Sequence, residues 1–398
     1  MQTCHLRFAA VAALVALAVA GCRRPASDEP DRATLEALPR WSLEPVAAID
    51  GEFGRIVGLA VDSHGRIYVA DGMRQRIDIF FAGGESLGTL GRRGSGPGEF
   101  TGLRDIAIGH ADTLYALDVQ SQRVTAFAID GEPRLAETVP VARAGSRANY
   151  RIFAPSAGGL LVLYAVPATD ETAEAARPMT LRHLSGSALR DSRDVLQLPE
   201  KEFLVSRDPS FGFAVGEMPY GREPFVRLGP DDMVHFVWSD ALEVQRYAID
   251  GAESEGFRVS LAPGRVDDAD VQALIDSFET DAFSQISRAL MQRAHAEGRL
   301  PRTRPALKNL LLDEQGRIWA NLVTPDDVVL NTPAGMVYRG RRPDTASRWL
   351  VFDAVGNPTA KIDLSTGMAL SIVRGDEAWG VATDDLGVER VLRYSIRR

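Results

Sequence analysis

Two stretches of this chain align without a gap: VGLAVDSHGRIYVADGMRQRIDIFFAGGE at 57–85 and RDIAIGHADTLYALDVQSQRVTAFAIDGE at 104–132. They place Tyr68 over Tyr115, Asp71 over Asp118 and Phe80 over Phe127, each pair 47 residues apart. A chain that repeats at this period builds a stack or ring of like units, because one unit cannot bury its apolar face alone. The AIDG at 128–131 returns at 248–251, ending a third copy, VRLGPDDMVHFVWSDALEVQRYAIDGAE. Three weaker copies are YRIFAPSAGGLLVLYAV with MTLRHLSGS, LKNLLLDEQGRIWANLV with SRWLVFDAVGN, and LSIVRGDEAWGVATDDLGVERVLRYSI, which makes six.

Within each copy, runs of β-branched, aromatic and aliphatic residues alternate with Gly, Asp, Asn and Ser clusters, the pattern of short antiparallel strands joined by turns. Four strands in each of six copies predict an all-β, six-bladed β-propeller, a ring that leaves only short, protected sheet edges. The last copy stops at Arg398 straight after its third strand, while WSLEPVAAI at 41–49 is a spare strand ahead of the first copy. The N-terminal strand is therefore expected to complete the last blade and close the ring. The repeated Asp71, Asp118 and Asp240 read as caps of the turn after the second strand, and Trp41, Trp238, Trp319, Trp349 and Trp379 as packing between blades.

GSGPGEF at 94–100, the DSHGRIYVAD strand pair and the RIDIFFAGG strand resemble NHL repeats of the TolB-like/NHL propeller superfamily, with two clear and four degenerate copies over 41–398. The resemblance implies the fold and an interaction surface. It does not imply one activity, since similar propellers serve as scaffolds, lactonases and lyases.

Ahead of the repeats, Arg7 and an apolar stretch at 8–20 end on Val19-Ala20-Gly21-Cys22. Thirteen apolar residues are too few to span a bilayer of about 30 Å, and the pattern is that of a lipoprotein signal peptide, 1–21, with acylation at Cys22. Residues 22–40, rich in Pro, Asp, Glu and Arg, read as a flexible tether. The only other cysteine, Cys4, lies inside the signal, so the mature chain would keep no free thiol for catalysis, disulfides or metal binding. Arg23 stands after the lipid site where, by resemblance to enterobacterial lipoprotein sorting, an aspartate would favour inner-membrane retention, so the expected place is the cell envelope, at the outer membrane if there are two. Without residues 1–21 the chain carries 44 basic and 54 acidic side chains, which excludes the basic footprint of a nucleic-acid binder.

In a propeller blade the first-to-second and third-to-fourth turns share one face. Here these are short, such as DSHG, GHAD, DEQG and IDGE. The long excursions, 167–178, 199–223, 261–305 and 324–347, all fall on the opposite face and make it the expected binding face. The third of them, between blades 4 and 5, is helical: Val271, Leu274, Ile275 and Phe278 are spaced i, i+3, i+4, i+7 behind Asp267, Asp268 and Asp270, and Phe283, Ile286 and Leu290 continue on a second helix. Its apolar stripe is expected to dock on the propeller rim, with a lid over the channel as the alternative.

Aligning the innermost strands puts Arg104, Lys308 and Tyr150 at one level, Asp105, Arg151 and Asn309 one residue inward, and Arg55 and Arg227 nearby. That mouth is basic in an acidic protein and suits a carboxylate, phosphate or acidic sugar; strand alternation could instead turn some of these groups to solvent or into blade-to-blade ion pairs with Asp105. For an enzyme the signals are thin. His64, His110, His183, His235 and His295 fall on different parts of the fold, Asp105 is the one carboxylate at the mouth with Asn149 and Asn309 beside it, and no G-x-S-x-G elbow occurs. The sequence thus favours an anchored, non-catalytic binding scaffold without cofactor, meeting a protein partner or an anionic solute at the envelope. The alternative is a metal-dependent lactonase or lyase.

Overall fold

The computed structural model describes residues 32–49, 51–145, 147–166, 178–208, 212–261, 263–276, 282–323, 347–365, 367–384 and 386–398. The expected signal peptide, Cys22, much of the tether and most of the excursions 167–178 and 324–347 lie outside them. Among the described residues no helix is long and apolar enough to cross a membrane.

Six four-stranded antiparallel sheets form in chain order, with a two-stranded hairpin between the third and fourth. Their innermost strands are Ile56–Val61, Leu103–Gly109, Arg147–Phe153, Pro224–Leu228, Leu307–Leu312 and Met368–Arg374, one for each of blades I to VI. Blade VI takes three strands from the C-terminus, Met368–Arg374, Glu377–Thr383 and Glu389–Arg397, and its fourth, Ser42–Ala48, from the N-terminus. The pairing runs from Ser42 opposite Arg397 to Ala48 opposite Leu392, as the strand count requires. Pro45, which cannot donate to a ladder, sits at the bulge of this edge strand, where its missing N–H costs least.

The core lies between neighbouring blades. Tyr68, Leu114 and Phe127 join blades I and II, while Trp319 and Trp349 of blade V meet Tyr394 and Ile396 of blade VI. Trp319, Trp349 and Trp379 are buried, Trp238 is half-buried against the blade III–IV cluster, and Trp41 lies 6.0 Å from the Trp319 ring. All five tryptophans therefore pack, as expected.

Turn chemistry repeats with the blades. In DSHGR, Asp62 Oδ1 accepts from the backbone N–H of His64 at 2.9 Å and Arg66 at 2.8 Å, and in DEQGR, Asp313 Oδ1 accepts from Gln315 at 3.0 Å and Arg317 at 2.9 Å. Gly65 and Gly316 hold φ of 78° and 74°, which glycine alone adopts without strain. On the long-loop face, buried Asp71 accepts from Gly54, Met73 and Arg74, and buried Asp118 from Thr101, Gln120 and Ser121. Asp240 is not the third such cap. It is exposed, and the hydroxyl of its buried neighbour Ser239 takes the bond, accepting from Glu223 N–H at 2.9 Å.

The last part of the presumed tether is ordered differently from the expectation. Arg32–Ala37 forms a short helix, α1, and Leu35 and Leu38 pack on the core shared by blades IV and V. Two leucines in a polar segment are enough to hold it down.

Candidate functional site

The innermost strands start at the long-loop face, so their first residues ring the mouth of the central channel. Five of them carry a break in pairing: straight after the first residue in three, between Ile56 and Gly58, Leu103 and Asp105, and Leu307 and Asn309, and further along in the other two, between Ala148 and Ile152 and between Leu370 and Ile372. A bulge places two residues of one strand against one of its partner and re-aims the side chains that follow. Arg104 and Lys308 are the extra residues in blades II and V, and Asp105 and Asn309 follow them. Blade IV has no such break, and Arg227 sits deeper along its strand.

Arg227, Asn309, Asp105 and Arg151 converge. The Arg227 guanidinium donates to Asn309 Oδ1 at 2.9 Å and to its neighbour's carbonyl, Val226 O, at 2.7 Å, while its Nε is buried with no hydrogen-bond partner. Burial, and then the like charge of Arg151, lowers its basicity well below the usual value, against the pull of Asp105 and Glu223. Asp105 Oδ2 accepts from Ile152 N–H of blade III at 3.0 Å. Its carboxyl is pushed up to about 6 by burial, in spite of Arg151, Ile152 N–H and Arg104. Next to Asn309 on the neighbouring strand, Asn321 is buried with its Oδ1 unpaired.

Three members of this neighbourhood were not singled out by sequence. Glu223, immediately before the blade IV strand, has its carboxyl raised by burial against the pull of Lys201, Arg227 and Arg151. Lys201 is buried with its Nζ 5.3 Å from the Phe203 ring centre. Glu389 of blade VI is raised by burial, with its carboxylate receiving Ile56 N–H and facing Arg55. A signal for Glu223 exists: its carbonyl accepts from Ser239 N–H as that of Arg55 accepts from Gly72 N–H, so the two residues occupy the same station in their blades. Arg55 thus belongs to the blade I–VI side with Glu389, apart from the Arg227 group. The side chain of Tyr150 lies outside the described residues.

On the long-loop face, two excursions fold together. The hairpin Phe203–Asp208 with Gly212–Glu217 packs through Leu204 on Val271 and Ile275 of α2 (Asp268–Asp276) and on Leu290, Met291 and Ala294 of α3 (Ala282–Ala296). The expected helical stripe exists, yet it buries against the hairpin rather than the propeller rim. Phe278 and the side chains of Phe283 and Ile286 lie outside the described residues. Buried Arg304 ties the base of this cap, with one guanidinium nitrogen 2.7 Å from Asp270 Oδ1 and its plane 4.9 Å from the Tyr220 ring. Lys201, at the hairpin's stem, carries the cap to the channel charges.

The histidines do not converge. His64 lies beside Ser63 and Asp112 on the short-turn face, His183 and His235 are buried in blades III and IV, and His295 of α3 is 3.8 Å from Asp268. Among the described residues no three His, Cys, Asp or Glu side chains gather as a metal ion would require.

A family model described as a 6-bladed beta-propeller, DUF5128, matches residues 51–156, which hold blades I and II and the start of blade III. The chain is a six-bladed β-propeller. Solved structures similar to this propeller include the calcium-binding protein regucalcin of Agrobacterium tumefaciens, with 10% identity over 90% of this chain and 96% of that one and a TM-score of 0.45. Another is a gluconolactonase of Xanthomonas campestris, with 12% identity over 94% and 99% and a TM-score of 0.44. A third is virginiamycin B lyase of Staphylococcus aureus, with 10% identity over 89% and 99% and a TM-score of 0.42. No curated protein matches the propeller by sequence.

Proposed function

We propose that this propeller is a lipid-anchored, non-catalytic binding protein of the cell envelope that receives an anionic group at the capped mouth of its channel. The observation that carries the reading is Arg227, fixed at the channel by Asn309 and Val226 O with one buried guanidinium nitrogen unpaired, in the field of the exposed Arg151. A bound anion offsets the mutual repulsion of like charges in one field, and a guanidinium offers paired donors to a carboxylate or phosphate. Arg104, Lys201 and Lys308 add positive charge around the mouth, so that its cations outnumber the carboxyls Asp105 and Glu223, both of which burial raises. The anion is either a free solute or an acidic group borne by a protein partner. The anchor rests on Cys22 and the signal pattern before it, and outer-membrane residence on Arg23.

The test is calorimetry on the full chain carrying Cys22→Ala, titrated with inorganic phosphate and with citrate. One-site binding that weakens at least tenfold in Arg151→Gln is the expected result. Absence of binding by both anions, or equal affinity in the variant, would overturn the reading. A tightly held divalent ion, one per chain, in the purified protein would instead favour the metal-dependent lactonase or lyase. Fractionation of cells making the Cys22→Ala protein checks the anchor, because the protein should move to the soluble fraction.

A further inference from the structure

The chain enters the ring at the short-turn face. Coming from α1, Trp41 N–H donates to Lys361 O at 3.0 Å and Lys361 N–H to Pro39 O at 2.9 Å, so 39–41 runs along the outermost strand of blade V, Pro358–Leu364. The Trp41 ring then lies 5.4 Å from the guanidinium of Arg317 and 5.1 Å from that of Arg398. Both mark the same face. Arg317 ends the first-to-second turn of blade V, and Arg398 pairs at 2.7 Å with Asp376 in the corresponding turn of blade VI.

Arg32, the first residue of α1, stands ten residues after Cys22. Ten residues reach at most about 35 Å. With the short-turn face towards a bilayer, that span is ample. To turn the other face to the bilayer, the same segment would have to climb a blade, about 20 Å for strands of this length, and clear the hairpin and helices of the cap, about 10 Å more. A chain held that near full extension forfeits most of its conformational entropy.

The short-turn face also carries apolar groups on either side of that entry. Val355, in the third-to-fourth turn of blade V, is 71% exposed, and Phe81, at the start of the same turn in blade I, is 49% exposed. Blades V and I flank blade VI, which the entering chain completes. Met73 and Leu386 are exposed on the long-loop face, but the cap stands on that face and holds it off a flat surface.

We infer that the short-turn face, on the side of blades V, VI and I, lies against the lipid bilayer, so that the channel mouth opens away from the membrane. The inference rests on the acylation of Cys22 and goes beyond it, since an anchor alone sets no orientation. The anion then reaches the mouth from the aqueous side.

With Cys4 removed in the signal and Cys22 acylated, the chain keeps no free thiol, so one added cysteine takes a donor dye alone. The full acylated protein is placed in phosphatidylcholine vesicles that carry a headgroup-labelled acceptor lipid. Phe81→Cys is compared with Met73→Cys at the other end of blade I, and Val355→Cys with Leu386→Cys. All four sites are exposed, so the variants should melt with the parent. Flotation with the vesicles reads the anchor, and energy transfer reads the orientation. Transfer in Phe81→Cys and Val355→Cys should exceed that in Met73→Cys and Leu386→Cys about twofold or more, since the ends of a blade stand about 20 Å apart. Adding Cys22→Ala should abolish it in all four. Equal or reversed transfer within either pair, in protein that floats, would overturn the orientation and leave the anchor standing. Protein that does not float would overturn both.

Discussion

Asp105 is a carboxylate surrounded by guanidiniums that nonetheless holds its proton more tightly than a free aspartate, because burial outweighs Arg151 and Arg104. The folded-state value, about 6, lies above the ordinary one near 3.9. Between roughly pH 4 and pH 6 the folded protein therefore keeps a proton that the unfolded chain has lost, and linkage makes stability fall as pH rises through that window. Asp105→Asn should flatten this dependence. The expected gain over the parent at pH 7.5 is on the order of 1–2 kcal/mol, read from urea melts at pH 4.5 and pH 7.5. An unchanged slope would mean that the carboxyl is ionised across the range. The aligned innermost strands set Asp105 beside Arg151 and Asn309 with Arg227 nearby, but they did not bring Glu223 or Lys201 into the same group. One extra residue in the strand, Arg104, shifts the alternation of facing, and a pairing break of this kind leaves no mark in a pattern of period two. The same limit explains Asp240. Asp240 was grouped with Asp71 and Asp118 because it follows the second strand, yet the bond is made one residue earlier by Ser239.

At the scale of elements, strands and helices were readable because each has a local period. Val271, Leu274 and Ile275 recur on one face of α2 and are buried, as their spacing demands. Their partner was not readable. The stretch 199–223 reads as one long loop, since its two short strands carry few β-branched residues and no homologous blade position to compare them with. Helix and hairpin meet only because both excursions leave the same face on either side of blade IV, a fact of topology rather than of local sequence. The cap should accordingly behave as its own unit. Ile275→Asp places a charge in the small core it shares with Leu204 and Leu290, and burying an unpaired charge there is untenable. Hydrogen exchange is expected to quicken in Phe203–Val205 and Val271–Leu274 while amides of Ile67–Asp71 and Leu114–Leu117 keep their protection. Uniform loss of protection across the propeller would show that cap and ring fold as one.

At the scale of the whole molecule the ring is held by one seam that crosses from the first strand to the last. Without Ser42–Ala48, the strand Glu389–Arg397 would present a row of unpaired backbone donors and acceptors, the hazard that closed folds avoid. The seam is reinforced on both sides. Arg397 pairs with Glu44 at 2.8 Å; the Trp41 ring lies under Arg317 of blade V at 5.4 Å and Arg398 of blade VI at 5.1 Å; and buried Ile49 enters the core shared by blades I and VI. Exposed ion pairs of this kind contribute little, so most of the stabilisation must come from the ladder and from Ile49, whose burial alone is worth about 2–4 kcal/mol. Three truncations and substitutions should then rank in order. Removing 23–31 should leave the melting temperature unchanged, since it only shortens the reach. Leu35→Asp with Leu38→Asp should cost a few degrees, because it frees α1 from the blade IV–V core without opening the sheet. Deleting 41–49 should cost most, roughly 10 °C or more on the usual scale of a few degrees per kcal/mol, with aggregation on heating. Equal melting of the first and third proteins would mean that blades I and VI hold together by side-chain packing alone and that the strand crossing between them contributes nothing to closure.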